Sequence, residues 1–254
     1  MRMVSLAMLS GMGLAAGCAL FSSGPADVPA CADDARTAPP STAASRAIPP
    51  SLHPDSRNWR PLFNLGLDNA VFTAGVWFVN DRGDLTASKD EAIWTDRDYE
   101  NFVLDLEYRC DPAANSGVLI YGSDLVNWIP NTVEIQILDD NNPHWAKEAP
   151  SAKNGGLYGH LAPQVNNGKP AGEWNRMTVV ASGKRIKVVV NGEVTVNTDL
   201  SRWTSATKNP DGSDIPSWLS RPWADLPTKG RIGLQGKHGN AAIYFRNVRI
   251  KELQ

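Results

Sequence analysis

Hydrophobic and polar residues alternate with a period of two in several stretches of the chain, most regularly between residues 99 and 110. There Phe102, Leu104, Leu106 and Tyr108 interleave with Val103, Asp105, Glu107 and Arg109. Successive side chains of a strand point to opposite faces, so the first set predicts a buried face and the second a wet one, as in an antiparallel sheet. Residues 132–138 repeat the pattern, with Val133, Ile135 and Ile137 set against Thr132, Glu134, Gln136 and Leu138. A carboxylate and an amide in mid-strand, flanked by β-branched residues, mark a face that is solvated or that binds something polar.

Shorter apolar runs predict strands at 76–79, 85–88, 115–121, 172–181, 185–190 and 193–198, and a strand pair between 230 and 253. Asp81-Arg82-Gly83-Asp84 and Ser182-Gly183 are turn chemistry, and Asn191-Gly192 between two apolar runs is a strong hairpin signal. No stretch holds a helical period. The pattern predicts one all-β domain over 56–254, a sandwich or jelly roll of two antiparallel sheets, with Glu134 and Gln136 on a concave outer face. A polar segment at 141–169 is too long for a plain connection and reads as a functional loop, and a second irregular loop, 199–228, carries Trp203, Trp218 and Trp223.

The first residues change the picture. One Arg, an apolar run from Leu6 to Leu14 and then Leu14-Ala15-Ala16-Gly17-Cys18 read as a signal peptide over 1–17 ending in a lipobox. This resembles bacterial lipoproteins, in which Cys18 would be lipidated and anchor the chain to a membrane; Ala19 after it favours the outer membrane, facing the periplasm or the cell surface. The alternative is an ordinary signal peptide with a chance Cys. Residues 18–55 are rich in Ala, Pro, Ser and Thr and cannot bury enough apolar surface to order themselves, which makes them a tether. Net charge is −2 with the charges scattered, so nothing points to nucleic acid. Cys31 in the tether and Cys110 at a strand end either pair in an oxidising compartment or stay apart; spacing alone does not decide.

Glu134 is the first candidate for a base or a metal ligand, with Gln136 beside it as an orienting amide; the alternative is a plain solvated face. His238 follows a Gly-flanked turn, and an imidazole titrates where neutral proton transfer needs it. His160 lies in the Gly-rich loop. Asn115, Tyr121, Tyr158 and Gln235 are candidates for bonding to hydroxyls, Lys237 for stabilising an anion, and Arg246 for the same face or else a salt bridge. One of the three loop tryptophans is expected to serve as a stacking platform for a bound ring, though Trp is also a common core or loop anchor. Asp139-Asp140-Asn141-Asn142 has oxygen ligands suited to a divalent cation such as Ca²⁺, yet an Asp-Asn run after a strand is first of all a turn, and no cofactor is expected.

Several phrases together resemble the 3-keto-disaccharide hydrolase family, once a domain of unknown function: Asn115-Ser116-Gly117-Val118, Glu134 to Asp140, Gly155-Gly156-Leu157-Tyr158-Gly159, Glu173-Trp174-Asn175, Val190-Asn191-Gly192, Gly230 to Gln235 with His238-Gly239, and Phe245-Arg246-Asn247-Val248. The resemblance spans Trp59 to Leu253. It implies a concanavalin A-like jelly roll that cleaves the glycosidic bond of a sugar oxidised at carbon 3. The ketone acidifies the hydrogen on carbon 2, so a base, an enolate stabiliser and an acid for the leaving group suffice, without the paired carboxylates of ordinary glycoside hydrolysis. The rival reading is a lectin-like module that binds sugar without chemistry, because fold does not fix function.

Overall fold

The computed structural model describes residues 58–253. The expected signal peptide, the tether with Cys18 and Cys31, and residues 56 and 57 lie outside the described residues. Thirteen strands follow in order: β1 (Arg60–Pro61), β2 (Ala70–Val71), β3 (Trp77–Val79), β4 (Leu85–Ala87), β5 (Ile93–Thr95), β6 (Phe102–Cys110) and β7 (Asn115–Gly122). The second half supplies β8 (Val133–Leu138), β9 (Trp174–Ser182), β10 (Arg185–Val190), β11 (Glu193–Asp199), β12 (Arg231–Leu234) and β13 (Ile243–Glu252). They form two antiparallel sheets, one in the order β11-β10-β9-β6-β13-β4-β3 with β1 added to β13, the other β2-β5-β12-β7-β8. This is the all-β jelly-roll sandwich that the alternation predicts.

The core lies between the sheets. Phe102, Leu104, Leu106 and Tyr108 from β6, Met177 and Val179 from β9 and Phe245 from β13 pack against Val118 and Ile120 of β7, Val133, Ile135 and Ile137 of β8, and Ile232 and Leu234 of β12, all buried. Each such side chain contributes about 1.5 to 3 kcal/mol of burial. The Asn191-Gly192 turn joins β10 to β11 with φ of 48° and 91°, the double left-handed geometry that a two-residue hairpin demands. One expectation is corrected: β12 and β13 do not pair, because β12 bonds to β5 and β7 while β13 bonds to β6, β4 and β1 in the opposite sheet.

Since Val133, Ile135 and Ile137 point inward, Glu134 and Gln136 point out of the smaller sheet; by the same argument Glu107 and Arg109 point out of the larger one. The two outer faces are thus on opposite sides of the sandwich. β8 is an edge strand, and the loop after it covers that edge. Gly155 N donates to Gln136 O, Gln136 N to Gly156 O and Tyr158 N to Glu134 O, so residues 155–158 run beside β8 almost as another strand. Covering an exposed edge removes a template for wrong pairing, and here it also brings Tyr158 beside Glu134.

Candidate active site on the smaller sheet

The floor of the site is glycine. Glu134 stands opposite Leu119, and Gln136 opposite Gly117, on the neighbouring strand β7. Gly117 has no side chain, and the Glu134 side chain occupies the space: a Cβ there would lie 2.8 Å from Glu134 Cγ. Further across, Gly122 and Gly233 lie beneath the Trp94 ring in the same way, each too close to it for a Cβ. Trp94 in turn meets Trp128 edge to face, with ring centroids 6.1 Å apart. A carboxyl and an indole are therefore laid flat on a sheet face by glycines that tolerate close approach.

Two loops complete the wall. Gln235 N donates to Gly117 O and His238 N to Asn115 O, which carries the β12 register on past the strand. Gly236 fits tightly against the backbone of Lys89 and Glu91, so the 235–238 loop docks on the loop between β4 and β5. That contact places Asp90, whose Oδ2 is 2.6 Å from His238 Nδ1 and whose Oδ1 accepts from Gln235 Nε2 at 3.3 Å. Gln136 Nε2 donates to Asn115 Oδ1 at 3.0 Å, while Gln136 Oε1 and Gln235 Oε1 are buried without a protein partner. Buried polar atoms left in this condition are costly unless a ligand or water meets them.

The electrostatics follow from this geometry. Burial, and then the like charge of Asp90, push the Glu134 carboxyl up to about 8, while His238 opposes them. The hydrogen bond to Asp90 raises the His238 imidazole above its usual value against the cost of its burial. Burial and then the Glu134 charge raise the Tyr158 phenol. A carboxyl with its pKa near neutrality, coupled to a histidine held by a second carboxylate, is the kind of perturbed pair that marks a candidate acid and base site.

The structure thus brings together Glu134, Gln136, His238, Asn115, Gln235 and Tyr158, with Lys237 in the loop between Gln235 and His238. Three expected contributors lie elsewhere. Tyr121 points into the core, fully buried, its hydroxyl donating to Gly183 O at 2.7 Å and its ring edge on to Phe102. Arg246 belongs to β13 in the other sheet, where Nε donates to Glu107 Oε2 at 2.6 Å. His160 is stacked on Trp223 at 3.6 Å with Nδ1 against Tyr158 O, and burial lowers it to about 4. Trp203 and Trp223 are likewise buried anchors, and only Trp218 is exposed, as one of the groups acting on the Tyr158 hydroxyl.

Asp139 Oδ2 accepts from Ala113 N and Asp140 Oδ2 from Asn154 N, so both carboxylates brace turns. Among the described residues no group of three or more His, Cys, Asp or Glu is gathered to hold a metal ion. Asp90 and Trp94 are the members that sequence reasoning missed. Neither sits in a signature phrase, and only the tertiary fold carries Asp90 to His238.

Comparison with known proteins identifies the family and the fold. A 3-keto-disaccharide hydrolase from Bacteroides thetaiotaomicron is 27% identical over 174 residues, 61% of this chain and 59% of that protein, so the chain spans less than two thirds of this curated relative. The crystal structure of a proposed glycosyl hydrolase from Parabacteroides distasonis is 52% identical, covering 77% of this chain and 99% of that one with a TM-score of 0.74. A second proposed glycosyl hydrolase of the same organism, 23% identical with a TM-score of 0.59 over 79% and 90% of the two chains, shares the fold. The family described as the 3-keto-alpha-glucoside-1,2-lyase-like domain matches residues 58–251, and the chain belongs to that family.

Proposed function

We propose that this chain is an enzyme that cleaves glycosides whose sugar is oxidised at carbon 3, by elimination followed by hydration. The observation that carries the reading is Glu134, a carboxyl raised to about 8 and coupled to the His238–Asp90 pair on a glycine floor. Family membership and the name of the Bacteroides relative support the same chemistry. Ionised Glu134 removes the proton on carbon 2, and the electron pair becomes an enolate on the ketone oxygen. The enolate collapses, the bond from carbon 1 to the aglycone oxygen breaks, and the His238 imidazolium, held by Asp90, protonates that oxygen. Water then adds to carbon 1 of the enone as carbon 2 is reprotonated. The Tyr158 hydroxyl and the Asn115 amide act as donors to the enolate, and Gln136 and Gln235 orient the ring hydroxyls through their unpartnered oxygens. Lys237 adds positive charge at the rim. We also propose export, with the chain lipid-anchored through Cys18 at the outer membrane.

The full chain is incubated in D₂O with a 3-keto-glucoside and with its unoxidised parent. The expected result is aglycone release from the keto sugar alone, with one deuterium at carbon 2 of the product, and a loss of about 10² to 10⁴-fold in Glu134→Gln. Release without deuterium replaces elimination by direct hydrolysis. Sugar binding by calorimetry without release overturns the enzyme reading in favour of a lectin.

A further inference from the structure

The outer face of the larger sheet carries a cavity of about 290 Å³, lined by Arg82, Asp84, Arg109, Gly172, Trp174 and Arg246. It lies on the side of the sandwich opposite Glu134, because Arg109 and Arg246 alternate with the inward Tyr108 and Phe245. The register sets Tyr244, Arg109 and Trp174 in one row across β13, β6 and β9, and Arg246 opposite Glu107 in the next. Both guanidiniums lie over aromatic rings: the Arg109 Cζ is 4.2 Å from the Tyr244 centroid and 5.3 Å from that of Trp174, and the Arg246 Cζ is 4.0 Å from that of Trp174.

A cation–π contact holds a guanidinium in place without using up its N–H donors. Arg246 uses Nε on Glu107, which also accepts from Asn247, and this leaves the Nη end to the cavity. The side chain of Arg109 is 18% exposed, and its nearest carboxylate, Asp84, is 3.8 Å away, beyond hydrogen-bond reach. Arg82 in the turn between β3 and β4 adds a third guanidinium at the rim, so three cations meet two carboxylates, Glu107 paired with Arg246 and Asp84 beside Arg109. A largely buried guanidinium whose nearest carboxylate is outside hydrogen-bond reach has N–H donors left over, and planar forks lining a cavity match the oxygens of a carboxylate or phosphate.

We propose that this cavity is a binding site for a small oxyanion, the carboxylate or phosphate of an acidic sugar, separate from the site of Glu134. Arg109 and Arg246 grip the anion in their plane and Arg82 closes over it. The test is calorimetric titration of the full chain with glucuronate, inorganic phosphate and glucose at up to about 10 mM. Saturable heat with glucuronate or phosphate and none with glucose is expected, the stronger of the two identifying the source of the oxyanion. Arg109→Gln is expected to weaken binding at least about tenfold, Arg109→Lys to weaken it less, and turnover of the keto sugar to stay unchanged in both. Arg82→Gln, at an exposed turn, gives the same reading if Arg109→Gln fails to fold. Absence of heat with both anions, or affinity unaltered in Arg109→Gln and Arg82→Gln, overturns the proposal.

Discussion

The Glu134 side chain crosses β7 directly above Gly117, so closely that a Cβ at position 117 would lie 2.8 Å from Glu134 Cγ and 3.0 Å from its Cδ. Gly117 is not needed for an unusual backbone; its φ is not in the left-handed region. What it supplies is room. Gly117→Ala is therefore expected to displace the carboxyl by around an ångström, lowering turnover of a 3-keto-glucoside about 100-fold while the melting temperature moves only a few degrees. Equal activity in the two proteins would remove Glu134 from the reaction, or the glycine from its positioning.

Asp90 acts on both Glu134 and His238, and in the same direction. Its charge raises Glu134, and its hydrogen bond raises His238. If Glu134 works ionised and His238 protonated, kcat/KM describes a bell whose limbs belong to the coupled pair. Asp90→Asn lowers both values, so the whole bell is expected to move toward acid. A bell that loses height in Asp90→Asn but keeps its position assigns Asp90 a purely structural part.

The raised carboxyl also costs stability, over a window that can be named. Its ordinary value is 4.5 and its folded value about 8. Below the first, both folded and unfolded chains hold the proton and there is no effect. Between the two, the unfolded chain releases the proton while the folded one keeps it, so folding weakens as pH rises and the cost is complete above about 8. Glu134→Gln carries no such cost. The melting temperature of the variant relative to the parent is expected to climb from acid to mildly alkaline pH, and a difference independent of pH would deny the shift. An active site that pays in stability for poise is a common trade.

Much of this architecture was legible in the chain because a period of two is written residue by residue. The inward set on β6 and on β8 is the set that the alternation names, and Asn191-Gly192 forms its hairpin. The side of the sheet that holds Glu134 and Gln136 was legible for the same reason. Its members from other elements were not. Asp90 meets His238 across 148 residues through a backbone contact at Gly236, and no local pattern encodes that distance. Tyr121 was misplaced because its φ of 60°, one residue before the end of β7, breaks the alternation and turns the ring inward. Arg246 was misplaced because alternation tells which residues share a face, not which of two sheets the strand joins.

The two tyrosines separate these effects in one experiment. Tyr121 is fully buried and its hydroxyl donates to the backbone of the β9–β10 turn at Gly183, on the far side of the core. Tyr121→Phe strands that carbonyl and is expected to cost about 1 to 2 kcal/mol of stability, read by denaturant midpoint, with turnover intact. Tyr158 is partly accessible, its phenol facing the Glu134 charge. Tyr158→Phe removes a donor to the enolate while leaving the ring and the backbone bond to Glu134 O in place, so turnover is expected to fall about 10 to 100-fold with little change in midpoint. The crossed result, in which Tyr121→Phe loses activity at unchanged stability, would move the reaction to a different part of the molecule.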